Sequence, residues 1–305
     1  GREREYEKFA GRAMAGRSFG LVLAFLIGGP VAKALGLQAP LFFGAGVTLL
    51  AGAVAMSFKE PPRLDSGPQL SYLQGVRAAL RTVWEIPTVR TLIPFAAVIM
   101  ASTMATEYLT QPFLLSHDVD VGFAFSGLQV PIRAAGIVGA LVAFWFVTKL
   151  GEPRLLLMLP VIGVGAYAGI ALWDALGAIG FLAVLGLVRA AAFPIVTGYI
   201  NRRVPSDQRA TILSLNQVAF SLLLAPLVPA LGISADKIDI PTGFAVAGII
   251  LAVLAALTGW FWLRAHRAES ATPPDARVAP PLSAEVRPAA TTPQADSPQP
   301  DPAAD

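Results

Sequence analysis

Cysteine is absent from the 305 residues, and histidine occurs only at His117 and His266. The first absence excludes disulfides, thiolate metal sites and cysteine nucleophiles together. The second leaves too few imidazoles for a histidine metal cluster, so no metal site is expected. His117, Asp118 and Asp120 share a loop that reads as solvated. Charge is scarce too, at 14% of residues against roughly 25% in an ordinary soluble domain. A phosphate-binding glycine loop, a Walker pattern and a nucleophile elbow are missing. The apolar runs hold no aspartate pair, no serine–histidine pair and no histidine-rich site for intramembrane chemistry. An enzyme is therefore not expected and no cofactor is implied. ATP-driven transport would need another subunit.

Apolar residues make up 55% of the chain, in blocks long enough to cross a bilayer, which takes about 20 residues per helix. The blocks are Ser18 to Ala34, Pro40 to Phe58, Val89 to Leu114, Phe123 to Val147, Leu155 to Leu172, Leu176 to Tyr199, Ala210 to Leu231 and Gly243 to Leu263. A backbone without water must bond to itself, so each block is expected to be helical. The short alternating segments of a β-barrel do not occur. The fold class expected is therefore an all-α membrane protein with eight transmembrane helices.

Lys and Arg alternate in number between successive loops. One side receives Arg2 to Arg17, Lys59 to Arg90, Lys149, Arg154, Arg202, Arg203, Arg209, Arg264 and Arg267; the other receives only Lys33 and Lys237. Positive loops stay in the cytoplasm. The net charge of +3 is thus a topology signal and not a nucleic-acid patch. Both termini are expected in the cytoplasm, in a bacterial-type inner (plasma) membrane. Trp145, Trp173, Trp260 and Trp262 fall near span ends, as interfacial indoles do.

Four segments follow. Residues 1–58 hold two spans, and residues 59–88 a cytoplasmic linker. Residues 89–263 form a six-helix bundle, and residues 264–305 a tail rich in Pro, Ala, Ser and Thr that is expected to be disordered. In the linker, Leu70, Leu73, Val76, Leu80, Val83 and Trp84 recur at helical spacing opposite Gln74, Arg77 and Arg81. That pattern predicts an amphipathic helix on the inner membrane surface; a solvated linker is the alternative.

Several motifs carry a family resemblance. The opening Gly1-Arg-Glu-Arg-Glu-Tyr6 with Gly11-Arg-Ala, the Gly28-Gly29-Pro30 turn, the exit Glu60-Pro61-Pro62-Arg63 and the loop from Tyr199 to Leu215 resemble the major facilitator superfamily, in particular its drug-efflux members. The resemblance covers Gly1 to Arg267. It implies that the eight spans correspond to helices 5–12 of a twelve-helix fold, with four helices upstream of Gly1. It implies a conformational role for Gly28, Gly29 and Pro30, and for Arg203 and Arg209 in the loop before the eleventh helix. The turn Thr148-Lys-Leu-Gly-Glu-Pro-Arg154 matches the family's gating turn at Lys149 and Gly151 and departs from it at Thr148. The family default is a monomer.

Ionisable groups inside a bilayer cost about 2.5–3.5 kcal/mol on insertion scales and mark function. Glu107 is the acidic residue well inside a span. Thr103, Thr106, Glu107, Thr110 and Gln111 recur at three and four residues, on one helix face. That face is expected to meet a cavity, with Thr103, Glu107 and Gln111 on the substrate or proton path. The alternative is a solvated carboxylate near the outer interface. Arg133 and Arg189 each lie about eleven residues into a span, near the midplane. Each is expected to bind an anionic group of the substrate or to pair with Glu107 or with a carboxylate upstream. Arg189 has Phe193 one turn on and Pro194 beside it, as a cavity wall would. A weaker stripe of Thr211, Ser214, Gln217 and Ser221 suits helix packing or a cavity. Gly16-x-x-x-Gly20 and Gly165-x-x-x-Gly169 read as close-packing sites.

The function expected is secondary active transport by alternating access, as proton-coupled export of small amphipathic or drug-like solutes. The partners would be a small-molecule substrate, protons or another coupling ion, and the lipid bilayer. An importer of sugars or organic anions and a truncated, non-transporting membrane scaffold remain as alternatives.

Overall fold

The computed structural model describes residues 20–58, 72–119, 123–173, 175–205 and 208–271, and everything below concerns these. The chain divides into two compact units, Gly1–His266 and Arg267–Asp305. The motifs at Gly1–Tyr6, Gly11–Ala13, Gly16, Glu60–Arg63 and Asp120, and residues 272–305 of the tail, lie outside the described residues.

Every described element is helical. In chain order they are α1 (Gly20–Leu35), α2 (Ala39–Met56), α3 (Tyr72–Glu85), α4 (Pro87–Ser116), α5 (Phe123–Leu150), α6 (Glu152–Leu172), α7 (Ile179–Asn201), α8 (Arg209–Lys237) and α9 (Ile240–Ala271). Six segments are long and apolar enough to cross a membrane: α2, α4, α6, Leu176–Asn201, α8 and α9. This is a multi-pass, all-helical membrane protein with about six to eight apolar spans.

Helix boundaries follow local chemistry. Proline opens α2, α4 and α6 within their first two positions, where its missing N–H costs nothing. Gly151, at φ +79°, supplies the left-handed residue between α5 and α6. Asp239 caps α9, its carboxylate accepting from the Thr242 amide at 2.7 Å. Bonding to the Thr242 side chain and amide holds the Asp239 carboxyl below its ordinary range. α9 runs on to Ala271, beyond the tail boundary expected at 264. Nothing in Arg264–Ala271 breaks a helix, and the first proline arrives at Pro273.

α4 is the most enclosed span, with 78% of its most apolar stretch buried. Its hydroxyls therefore need partners. Thr103 donates to the Ile99 carbonyl at 2.7 Å and Thr110 to the Thr106 carbonyl at 2.9 Å. Tyr167 of α6 reaches in from the side: its hydroxyl lies 2.5 Å from the Ser102 carbonyl, to which it donates, and 2.6 Å from Thr106 Oγ1. α9 comes close to Tyr167 because Gly248 has no side chain; a Cβ there would lie 2.8 Å from Tyr167 Cβ.

α5 and α7 form the tightest pair of all. A Cβ on Gly139 would sit 2.6 Å from the Leu187 carbonyl oxygen, and one on Gly186 3.1 Å from that of Ile132. Backbone contact of this kind is how small residues join helices in lipid. Of the glycines expected to serve close packing, Gly169 does so, against the Phe181 ring, while Gly165 and Gly20 have open space around them.

α3 packs on α4 and α8 through Ala79, Thr82 and Val83. Its apolar pattern is split, because Leu73, Leu80 and Trp84 remain exposed. The helix is thus docked on the bundle along one stripe and presents a second stripe outward.

Candidate functional site

The close α5–α7 contact determines where two arginines lie. Gly136 follows Arg133 by three residues, and Gly186 precedes Arg189 by three, so the glycine contact lies one turn from each guanidinium. α4 packs against α7 and brings Glu107 between the two. Arg133 Nη1 lies 2.7 Å from Glu107 Oε1, and Arg189 Nη1 lies 2.5 Å from the same oxygen. The Glu107 side chain is 30% exposed and the arginines 20% and 25%. One carboxylate is therefore shared by two guanidiniums in a partly enclosed setting.

Two adjoining cavities meet at this cluster. One, of about 450 Å³, has Thr103, Thr106, Glu107, Thr110, Arg133 and Arg189 on its wall. Ile132, Ile137, Leu182 and Leu185 make most of the remainder apolar, and Leu21 and Val22 of α1 close one side. The other, of about 370 Å³, includes Gln111, Gln129, Met104 and Phe25 and shares Glu107, Thr110 and Arg133. Phe25 lies under the Arg133 guanidinium at 4.8 Å from its ring centre, a cation–π contact. Arg189 Nη1 also reaches Met104 Sδ. Arg133 Nε is buried and has no hydrogen-bond partner among the described residues.

The predicted stripe Thr103, Thr106, Glu107, Thr110, Gln111 thus lines one cavity or the other along its whole length. Phe193 does not; it is exposed and absent from both walls. Ser214, Gln217 and Ser221 of α8 line a separate shallow depression formed by α8 alone. Phe25 and Tyr167 were not singled out in the sequence, where an aromatic in an apolar run carries no distinguishing mark.

The residues assigned conformational roles stand in two places. Gly28, Gly29 and Pro30 are in α1, one to two turns beyond Phe25, and Gly28 has open space around it. The remainder gather at the basic end. Lys149 Nζ lies 4.1 Å from the Trp145 ring centre, the Arg203 guanidinium 3.7 Å from that of Tyr199, and Arg209 Nε donates to the Val204 carbonyl at 3.3 Å. An ion pair between Glu152 and Arg202 joins the α5–α6 and α7–α8 turns. Neither partner stood out in the sequence, since each is one charge among several in a basic loop. Beside them, Trp262 stacks between Phe95 and His266, and Tyr199 shares a 2.8 Å hydrogen bond with His266 Nδ1.

A family model described as Major Facilitator Superfamily matches residues 2–226. A comparison with curated proteins finds no match. Among solved structures, the chain resembles a bacterial homologue of the human lysosomal transporter Spinster, crystallised in an inward-facing, unoccupied conformation. The TM-score is 0.59 at 17% identity, over 87% of this chain and 71% of the other. At that identity the likeness is one of fold.

Proposed function

The chain belongs to the major facilitator superfamily, and from that premise we propose that this secondary transporter moves small amphipathic solutes bearing an anionic group, together with a proton, by alternating access. The observation that carries this reading is the sharing of one Glu107 oxygen by Arg133 and Arg189. Ionised, Glu107 engages both guanidiniums and competes with any anion for them. Protonated, it loses its charge-assisted hold, and the guanidinium donors turn to an anionic oxygen of the cargo. Proton binding and anion binding then assist each other, and linkage makes that assistance mutual. The leucines and isoleucines of the wall suit the apolar remainder of such a solute.

Export of drug-like solutes against proton entry is the second reading, supported by the same apolar wall and by the Gly28-Gly29-Pro30 resemblance. An exchanger of cations would use its carboxylate alternately for proton and cargo, yet here two guanidiniums stand on that carboxylate.

The test is transport by the full chain in proteoliposomes, with labelled amphipathic anions, zwitterions and cations and an enclosed pH probe. Anions are expected to enter with protons, faster as the outside pH falls. Glu107→Gln should still bind anions, with affinity no longer dependent on pH, and should fail to acidify the interior. Arg189→Gln should lose anion binding. Cation-driven proton movement with inert anions would overturn the proposal in favour of export.

A further inference from the structure

A further cavity of the bundle shares no residue with the Glu107 site. It is a groove of about 540 Å³ between α6 and α9, floored by Phe95 of α4. That volume lies within the about 300–1,000 Å³ of small-ligand sites. The groove exists because α9 is stripped of bulk there. Gly259 lies so close to Phe95 that a Cβ would come within 2.9 Å of the ring, and Ala256 is exposed beside it. Val161 of α6 and Trp260 of α9 stand at its sides, 72% and 55% exposed. Its wall carries no charge.

Its basic end does. Arg154 precedes Leu157 by three residues and Val161 by seven, so it continues the groove-lining face of α6. The Arg264 guanidinium lies 5.8 Å from the ring centre of Trp260, itself a wall residue. Both arginines are exposed, and neither has an ion-pair partner among the described residues. An apolar slot open between two spans, ending in two cations on the basic side, has the charge and shape of a phospholipid. A basic pocket between spans on that side is where anionic headgroups are held.

We infer that this groove binds one anionic phospholipid of the cytoplasmic leaflet, with an acyl chain along Val161, Ala256 and Trp260 and the phosphate between Arg154 and Arg264. The site is distinct from the cargo cavity. A soluble anion would find no reason to prefer a slot that faces the bilayer.

The full chain, taken from nanodiscs containing phosphatidylglycerol or phosphatidylcholine, is examined by native mass spectrometry. One phosphatidylglycerol should be retained and phosphatidylcholine should not. Arg154→Gln with Arg264→Gln should weaken retention about 30-fold, from about fivefold for each arginine near a lipid phosphate. Ala256→Leu, which fills the slot, should weaken it comparably, and Arg189→Gln should leave it unchanged. The unmodified chain supplies an independent reading: phosphatidylglycerol with brominated acyl chains should quench tryptophan fluorescence at lower mole fraction than its phosphatidylcholine counterpart, an excess that Trp260→Phe removes. Equal retention of both lipids would overturn the inference, as would loss only in Arg189→Gln. A dimer that Ala256→Leu disperses, with no lipid retained, would assign the groove to a second copy and overturn it too.

Discussion

At Glu107 the cost of a charge in the bilayer is met by neighbours, and the arithmetic is unequal. One carboxylate faces two guanidiniums, so removing either arginine leaves a matched pair, while removing the carboxylate leaves two like charges together. Hydrogen bonds to charged groups contribute about 1.5–3 kcal/mol each. Glu107→Gln should therefore lower thermal stability in detergent micelles more than Arg133→Gln or Arg189→Gln alone. Adding Arg189→Gln to Glu107→Gln should restore part of the loss, because the remaining Arg133 no longer faces a like charge. A double-mutant cycle followed by thermal unfolding measures this coupling. Additive losses would mean that the three groups do not act as one cluster. The three residues were legible in the sequence because ionisable groups in apolar runs are conspicuous. Their mutual distances were not, since spacing along a helix says nothing of which helices are neighbours.

At the scale of elements, the site is positioned by the α5–α7 contact. Gly139 has no room for a side chain against the Leu187 carbonyl, whereas a Cβ on Gly165 would meet nothing within 4 Å. Gly139→Leu should drive α5 away from α7, cost about 1–3 kcal/mol by overpacking, and carry Arg133 off Glu107 with loss of transport. Gly165→Ala should be neutral or slightly stabilising, since alanine is the better helix former. Thermal unfolding and anion uptake on both variants check the contrast. The motif Gly165-x-x-x-Gly169 drew attention to the wrong glycine in part, while Gly136, Gly139 and Gly186 did the joining. A glycine pair in an apolar run marks a place where a helix can be approached. Only the packed bundle determines which approach occurs. The same limit applies to α3, whose apolar residues were legible as one face but divide between the bundle and the exterior.

For the whole molecule, the eight apolar blocks and their order were legible because each is an apolar run of about bilayer length, and every one forms a helix among the described residues; six of the resulting segments are long and apolar enough to cross a membrane. What the sequence carries about sidedness is the Lys/Arg asymmetry, since a bundle of parallel and antiparallel spans has no intrinsic inside. That asymmetry makes a sharp claim about two exposed positions. Arg81 lies on α3, before α4, and Lys237 ends α8; five helices, α4 to α8, lie between them. If all five cross, the odd number sets them on opposite sides, and the positive-inside rule predicts Arg81 on the cytoplasmic one. The 305 residues contain no cysteine, so an engineered thiol is the sole target within them. A membrane-impermeant maleimide should label Lys237→Cys in intact cells, and should reach Arg81→Cys only after the membrane is opened. Labelling of both from outside would require an even number of crossings, which would mean that one of the five helices does not span. The reverse pattern would keep the spans and invert the molecule, and would move the phospholipid groove to the outer leaflet with it.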